Sequence, residues 1–193
     1  MAPVARLCST NPGKLRELRA ALPGWEIELL DATDYPPETG DTYYENARGK
    51  ADFGRLHEPD LWVIGEDSGI EASGLDGRPG VHSARFGGDD PVGRLLAELS
   101  GAADRRARYV CEIVALDPTG KEHRGTGTLE GRIVEEARGS EGFGYDPIFV
   151  PDGEERTVAG LGNEWKRTNS HRARAAAALS RSLGPVTARG GRA

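Results

Sequence analysis

Several short stretches of this chain combine residue types that could bind a nucleotide. Phe143-Gly144-Tyr145-Asp146-Pro147 offers aromatic rings, a glycine turn and a carboxylate, and Lys166 and Ser170-His171-Arg172 follow downstream. An aromatic ring can stack on a base with a gain of roughly 1–3 kcal/mol, and cations can bind phosphates. The glycine-rich run at 142–145 is unfavourable for a core strand and favours close approach to a ligand. An aromatic turn within the core is the alternative interpretation.

A second polar stretch, Ser9-Thr10-Asn11-Pro12-Gly13-Lys14, lies between a predicted strand and a predicted helix. Free backbone N–H groups at a helix N-terminus favour phosphate, as does the helix dipole. Lys14 opposes that dipole in the first turn, so it is better explained as reaching into a phosphate site. The stretch lacks the glycine spacing of a Walker motif. An ordinary helix cap remains the alternative.

Acidic residues follow another predicted strand, at residues 61–65. Glu66-Asp67-Ser68-Gly69 is expected at the carboxyl end of that strand, where α/β folds place their ligands. Carboxylate oxygens suit Mg²⁺, which commonly bridges protein carboxylates and substrate phosphates. Glu38, in the loop before the second predicted helix, is the candidate second carboxylate. A solvated acidic turn and an exposed loop acid are the alternatives for the two sites.

The cationic residues near the end of the chain are predicted close to a helix N-terminus. Cations are unfavourable there unless an anion or a base carbonyl compensates, so Lys166 and Ser170-His171-Arg172 favour a binding site. The remaining histidines show no ligand-like spacing. They are predicted as surface or loop residues: His57, His82 and His123.

The elements that must position these residues alternate between strand and helix. Strands are predicted at residues 4–8, 27–30, 61–65, 109–116 and 126–134. Helices are predicted from Pro12 to Pro23, from the Thr42/Glu45 capping box to about residue 56, from Pro91 to residue 99, and from the Ser170 cap to about residue 183. The fold class is therefore α/β, with an elongated mixed central β-sheet flanked by helices and two lobes with a nucleotide cleft between them.

Composition narrows the class of protein. The 193 residues fit a single domain, predicted at residues 1–184, with a Gly/Arg-rich tail at 185–193 predicted to be disordered. The net charge of −6 argues against a general nucleic-acid binder. The N-terminus lacks a long apolar stretch, so we expect no signal peptide, no membrane span and a cytoplasmic location. Cys8 and Cys111 lie in apolar runs and are predicted to be reduced core thiols.

Taken in order, these motifs resemble the inosine triphosphate pyrophosphatase family of RdgB type. The resemblance spans about residues 4–183. Each motif alone is weak, but six in register make a specific match. The matching pieces are STNPGK at 9–14, ETGDTYYENARGKA at 38–51, EDSG at 66–69, GRPGVHSARF at 77–86, FGYDPIF at 143–149, and Lys166 with SHR at 170–172.

The resemblance implies a magnesium-dependent homodimer. Such an enzyme hydrolyses the triphosphates of inosine, deoxyinosine and xanthosine to the monophosphate and pyrophosphate. The resemblance also implies that residues 9–14 cradle the phosphates, that Glu38 and Asp67 hold magnesium, and that Asp67 accepts the proton of the attacking water. The implied substrate contacts are Ser68, Phe143, Gly144, Tyr145, Asp146 and Lys166, with His171 and Arg172 reading the 6-oxo edge and Lys50 as a further phosphate contact.

The chain departs from the family pattern at Glu66, where an aspartate is usual, and before Lys166, where Gly160, Gly162 and Trp165 replace acidic and polar residues.

Two other functions remain open. One is a pyrophosphatase with a different base choice, such as a Maf-like enzyme, which comparative nucleotide rates would separate. The other is a non-catalytic nucleotide-binding or RNA-associated module, which would bind nucleotide without turnover.

Overall fold

A six-stranded mixed sheet forms the centre of the fold. The computed structural model describes residues 2–183, so the tail predicted at 185–193 lies outside the described residues. The strand order is β2-β1-β3-β4-β5-β6, with β1 parallel to β2 and β3 and the other pairs antiparallel. The prediction of a mixed sheet is confirmed. The strands are β1 Val4–Leu7, β2 Glu26–Leu29, β3 Trp62–Ala72, β4 Arg106–Leu116, β5 Glu122–Ile133 and β6 Phe149–Pro151.

Five α-helices flank this sheet in the described part of the chain. Three of them begin where local sequence signals predict. The Asn11 side chain accepts hydrogen bonds at the start of α1, Thr42 and Glu45 form both bonds of a capping box, and Ser170 caps the last helix. The helices are α1 Pro12–Ala21, α2 Tyr43–His57, α3 Pro91–Glu98, α4 Val158–Asn169 and α5 His171–Leu183.

Two elements were missed by the sequence prediction, namely β6 and α4. Strand β6 is only a three-residue segment, too short for a periodic signal. Helix α4 is interrupted by Gly162, whose φ of 87° is not helical, and this breaks the apolar pattern. Lys166 lies in the last turn of α4 and four residues before the Ser170 cap of α5, so it belongs to a helix that the sequence prediction did not include.

The acidic stretch does not lie at the end of its strand, contrary to the sequence prediction. Strand β3 continues through Glu66 and Asp67 to Ala72, because it pairs with β4 along that whole length. Its other neighbour, β1, pairs only with Trp62 to Ile64. The acids therefore follow the point where β1 ends, and a notch beside β3 opens there.

The two faces of the sheet carry different helices. Side chains alternate along a strand, so Ile64 contacts the core beneath α1 and α5, whereas Val63 contacts the core beneath α2. A third core, around Tyr109 and Phe149, fills the distal end of the long strands with α3 and α4. Tyr109 and Tyr145 of this distal core lie opposite Asn11 and Lys14 at the start of α1, and the four residues line one cleft.

Helices α2 and α5 rest directly on the backbone of the sheet. A Cβ atom at Gly65 would lie 1.8 Å from the carbonyl oxygen of Ala47 in α2. One at Gly127 in β5 would lie 2.2 Å from the carbonyl oxygen of His171 in α5. The absence of side chains at these two positions lets each helix approach the sheet closely, which fixes where its polar residues emerge.

The remaining sequence predictions have mixed outcomes. Cys8 and Cys111 are both buried free thiols, as predicted. His123 is not a surface or loop residue: it lies buried in β5, against the Trp62 ring and beside Asp117. No helix within residues 2–183 is long and apolar enough to cross a membrane.

Candidate active site

A cleft of about 370 Å³ lies at the notch beside β3. It is bounded by the start of α1 on one side and by the loop before α3 on the other. Nine of the predicted site residues meet here. The predicted residues that do not line it are Ser9, Thr10, Pro12, Gly13, Glu38, Lys50, Asp67 and Arg172. The lining residues are Asn11, Lys14, Ser68, Gly69, Ser83, Ala84, Pro91, Tyr109, Phe143, Gly144, Tyr145, Asp146, Lys166 and His171.

The aromatic segment forms a tight turn rather than a strand. Gly142 and Gly144, with φ of 83° and 61°, occupy the left-handed region on either side of Phe143. Asp146 closes the turn by accepting the Phe143 backbone N–H at 2.9 Å. Phe143 is half-buried at the cleft wall, but Tyr145 is buried and donates its hydroxyl to the Ser83 carbonyl. Tyr145 thus contributes mainly to the core, and Phe143 is the ring available to a ligand.

Two buried cations lie close to this turn. Lys166 forms an ion pair with Asp146 at 2.6 Å, and both Lys166 and Arg172 form an ion pair with Glu17. The Lys166 ammonium lies 4.6 Å from the Phe143 ring centroid, within the range of a cation–π contact. Asp146 also accepts the Tyr109 hydroxyl, so its carboxylate ties the turn to β4 and α4.

His171 lies at the first position of α5 and lines the cleft. Its ring stacks on Tyr109 with centroids 4.5 Å apart and planes 6° apart. Burial lowers the pKa of His171 well below its ordinary value, and the neighbouring Arg172 lowers it further. A neutral imidazole keeps one donor and one acceptor nitrogen, which suits it to recognise the edge of a base.

This buried neutral histidine predicts a specific pH dependence of stability. Below pH 6.5, the ordinary pKa of histidine, His171 is protonated in the unfolded chain but stays neutral in the folded protein. The free energy of unfolding therefore falls as the pH falls. Between about pH 7.5 and about pH 5.5 we expect wild type to lose about 1.4 kcal/mol more than His171→Gln. Urea unfolding of both proteins at about pH 7.5 and about pH 5.5 measures the difference. Equal pH dependence of the two proteins would show that His171 titrates normally.

The loop before α1 uses part of its hydrogen-bonding capacity locally. Asn11 Oδ1 accepts the backbone N–H groups of Gly13 at 2.8 Å and Lys14 at 3.3 Å, and Ser9 Oγ accepts that of Asn11. The helix-cap interpretation therefore holds for Asn11. Gly13 faces the Phe143 ring, since a Cβ there would lie 2.9 Å from its carbon atoms. Lys14 extends from this loop into the cleft, where it reaches Glu66.

Glu66 is the most enclosed acid of the site, with no exposed surface. Its Oε2 lies 2.7 Å from the Lys14 ammonium, and its Oε1 accepts Arg172 Nη2 at 2.9 Å. Burial disfavours its charge, but Arg172 and Lys14 hold the pKa of Glu66 well below the ordinary range. Arg172 also donates to Ser68 Oγ at 2.9 Å. Only 1% of Arg172 is exposed, and it lies behind the cleft rather than in its lining.

Asp67 points to the opposite face of β3, toward α2. Lys50 Nζ lies 3.2 Å from Asp67 Oδ1 and also forms an ion pair with Glu38, while Asn46 donates to Asp67 Oδ2 at 3.1 Å. Burial raises the pKa of Asp67 above its ordinary value, although Lys50 and Lys14 oppose the shift. The predicted acid pair thus meets around one ammonium group, next to a second hollow of about 230 Å³ beneath the 36–40 loop.

Glu38 and Asp67 have the carboxylate oxygens that a divalent cation prefers. Within residues 2–183, no group of three or more His, Cys, Asp or Glu side chains is arranged to hold a metal ion. Mg²⁺ does not require such a group, because it is commonly held by one or two carboxylates together with water and substrate phosphates. Glu38 and Asp67 already converge on a positive charge, that of Lys50. The donor set therefore fits a magnesium ion that arrives with a phosphate ligand.

Sequence reasoning missed several residues that the structure places in the site. Asn46 is one of them: it lies four residues before Lys50, already a candidate phosphate contact, and this spacing on α2 could have marked it as part of the same face. Glu17 and Tyr109 gave no such signal, because they look like an exposed helix residue and an ordinary strand residue. Only the packing of α1, α4 and α5 shows that Glu17 joins Lys166 to Arg172.

A mixed α/β sheet that carries an aromatic turn, clustered cations and an acid pair is typical of nucleotide-binding proteins. The sequence profile of the Ham1 family matches residues 5–182, so the chain belongs to the Ham1 family.

Named relatives and solved structures agree with this assignment. A protein of Symbiobacterium thermophilum named dITP/XTP pyrophosphatase is 47% identical over 180 residues, 89% of this chain and 90% of that protein. One of Deinococcus deserti with the same name is 45% identical over 176 residues, 88% and 84% of the two chains. The solved Ham1 protein of Staphylococcus aureus superposes with a TM-score of 0.80 at 34% identity, covering 93% of this chain and 97% of that one.

Proposed function

We propose that this protein hydrolyses the triphosphates of deaminated purines, namely inosine, deoxyinosine and xanthosine, to the monophosphate and pyrophosphate. The relatives named dITP/XTP pyrophosphatase support the reaction and the choice of base. The observation that carries the proposal in this chain is the acid pair of Glu38 and Asp67 around Lys50, beside the hollow beneath the 36–40 loop. Ser68, the residue after Asp67 on β3, lines the cleft that holds Phe143 and His171.

Asp67 is the proposed proton acceptor. Hydrolysis of the anhydride between the α- and β-phosphates requires a water molecule to attack phosphorus and lose a proton. A carboxylate with a pKa raised by burial is a better base than an exposed aspartate, and Asp67 meets this condition. Asn46 and Lys50 hold its two oxygens and so fix the orientation of the carboxylate.

Lys14 and Lys50 are the proposed phosphate-binding cations. Both ammonium groups are already held by buried carboxylates, Lys14 by Glu66 and Lys50 by Asp67, so they are preorganised before the triphosphate arrives. Fixed cations near the leaving pyrophosphate stabilise the charge that develops there. Magnesium bound by Glu38 and Asp67 would add neutralisation of phosphate charge.

The base is proposed to stack on Phe143 and to present its edge to His171 and Lys166. Both of these residues line the cleft, whereas Arg172 lies behind them. Donors aimed at a 6-oxo group are left unpaired against the 6-amino group of adenine, and unpaired buried donors are costly. Adenine nucleotides are therefore the expected poor substrates. The other substrate contacts expected from the resemblance, in Ser9–Lys14, Ser68 and the 144–146 turn, remain part of this proposal.

The direct test measures pyrophosphate release from dITP, XTP, dGTP and dATP, with magnesium and with a chelator. We expect magnesium-dependent release from dITP and XTP, and rates lower by roughly 10²-fold or more for dATP. Equal rates on all four would contradict the base-reading residues but keep the hydrolase. Nucleotide binding without release would favour the non-catalytic module, and a preference for another base would favour the Maf-like alternative.

Assembly and location form a separate part of the proposal. The resemblance supports a homodimer that works in the cytoplasm, where the nucleotide pool is found. Light scattering of the purified protein tests the first statement, and fractionation of its cells of origin tests the second.

A further inference from the structure

Glu66 and Asp67 are adjacent in sequence but serve opposite faces of the sheet. Because side chains alternate along a strand, Asp67 faces α2 with Lys50 and Asn46, whereas Glu66 faces α1 and α5. The two carboxylates therefore do not form one ligand pair, although the sequence places them side by side. Glu66 requires a role of its own.

Each oxygen of the Glu66 carboxylate faces a cation of the protein, but only Oε1 accepts hydrogen bonds, and Oε2 has the ion pair with Lys14 alone. Oε2 lies 2.7 Å from Lys14 Nζ, and Oε1 accepts both Arg172 Nη2 at 2.9 Å and Arg172 Nε at 3.2 Å. The Cys111 thiol donates to the same Oε1 at 3.3 Å from the floor of the sheet. Glu66 has no exposed surface, so its charge is balanced by Lys14 and Arg172 rather than by solvent.

The two cations that Glu66 holds come from the two ends of the proposed substrate site. Lys14 lies in the first turn of α1, within the proposed phosphate-binding residues 9–14, called the phosphate loop. Arg172 follows His171 at the start of α5. Arg172 in turn donates to Ser68 Oγ, a residue of the cleft lining. One buried anion thus connects the phosphate end of the cleft with the base end.

We propose that Glu66 is a positioning residue, which fixes Lys14 and the Arg172–His171 start of α5 at a set separation so that phosphate and base are recognised together. This inference rests on the proposed function of the cleft. The glutamate side chain extends from β3 to residues of both helices, Lys14 in α1 and Arg172 in α5. Without its charge, the buried Arg172 and the partly exposed Lys14 would lose their shared counter-ion and with it their fixed separation.

Glu66→Gln tests the proposal, since glutamine keeps the shape of the side chain and removes the charge. We expect kcat/KM for dITP to fall by about 10²-fold, as misplacement of binding groups by about 1 Å can cause. We also expect the dITP-to-dATP rate ratio to fall, because the donors that reject the 6-amino group of adenine would be misplaced. Binding of inosine monophosphate and of pyrophosphate, measured separately by calorimetry, is expected to weaken about tenfold each.

Glu71→Gln is the matched control. Glu71 lies on the same strand, forms an ion pair with Arg108 at 2.7 Å, and does not line the cleft. This variant loses a glutamate–arginine pair in the same way but should keep wild-type binding of both ligands and the wild-type rate ratio. Near-ultraviolet circular dichroism of each variant checks that the compared proteins are folded.

Three outcomes would overturn the proposal. The first is wild-type affinity for both ligands in Glu66→Gln with an unchanged rate ratio. The second is a shift only in the magnesium concentration needed for activity, which would make Glu66 a metal ligand. The third applies if Glu66→Gln does not fold, in which case Glu66→Asp is measured instead. That variant keeps the charge but shortens the side chain, and we expect the same losses to a smaller extent. Wild-type behaviour of Glu66→Asp would contradict the proposal.

Failure of the proposed function would be recognised independently. If the wild-type protein binds neither inosine monophosphate nor pyrophosphate and releases no pyrophosphate from dITP, the function is wrong and the role of Glu66 falls with it. If the wild-type protein binds these ligands and releases pyrophosphate from dITP, and the Glu66 variants do so equally well, the function stands and the positioning role is wrong.

Discussion

Asp67→Asn is expected to lower the rate of pyrophosphate release by roughly 10²–10⁴-fold, the range attributed to a positioned general base. The amide has nearly the shape of the carboxylate, but it cannot accept a proton. It also loses the negative charge that Lys50 meets at 3.2 Å and that we propose for magnesium. The measurement is kcat for dITP at saturating magnesium. Thermal unfolding alongside it should show a folded protein, because the removed charge was partly desolvated.

A matched variant separates this effect from a general loss of acidic charge. Asp52 lies on the exposed side of α2 and forms an ion pair with Arg48 at 2.9 Å. Asp52→Asn should keep wild-type turnover, because surface ion pairs of this kind contribute little. Retained activity in Asp67→Asn would remove Asp67 from the mechanism and leave the activation of water without an assigned residue.

Gly65→Ala is expected to have the largest effect on stability. The added methyl group would lie 1.8 Å from the Ala47 carbonyl oxygen and 2.7 Å from the Ala51 backbone nitrogen. Both contacts are to helix backbone, which cannot move without displacing α2 as a whole. Overpacking of this kind costs about 3 kcal/mol, which corresponds to a fall in Tm of roughly 10 °C for a chain of this size. Denaturant and thermal unfolding measure both quantities.

The control for this substitution lies on the helix that the added methyl group would displace. Gly49 is an exposed residue of α2, and a Cβ there would meet nothing within 4 Å. Gly49→Ala should stabilise the protein by about 0.5–1 kcal/mol, because alanine has the higher helix propensity. A Gly65→Ala variant as stable as wild type would show that α2 can move away from the sheet at little cost.

Local signals explain which parts of the fold could be predicted from the sequence. The starts of α1, α2 and α5 depend on caps within a few residues, and these were predicted correctly. The extent of β3 depends on its register with β4, a partner far along the chain, and it was predicted too short. Helix α4 contains a non-helical glycine and is held by its neighbours, so its own sequence gave no clear pattern.

The site divides in the same way between local and distant causes. The presence of Lys166, His171 and Arg172 near an aromatic turn could be read from residue types. Their partners could not, because Glu17 and Glu66 reach them only after α1, α4 and α5 have packed together. The opposite orientation of Glu66 and Asp67 likewise could not be predicted. It follows from strand β3, which the sequence prediction ended at residue 65, before these two residues.

The position of α5 has a consequence for how the protein comes to work as it is made. Arg172 and its partner Glu17 are 155 positions apart, so the phosphate loop leaves the ribosome long before the residues that complete the cleft. Under the proposed function, a nascent chain lacks a complete nucleotide site until α5 has docked on β5. Nucleotide binding therefore reports on complete folding, and a ligand at 100 times its Kd would stabilise the finished protein by about 2.7 kcal/mol.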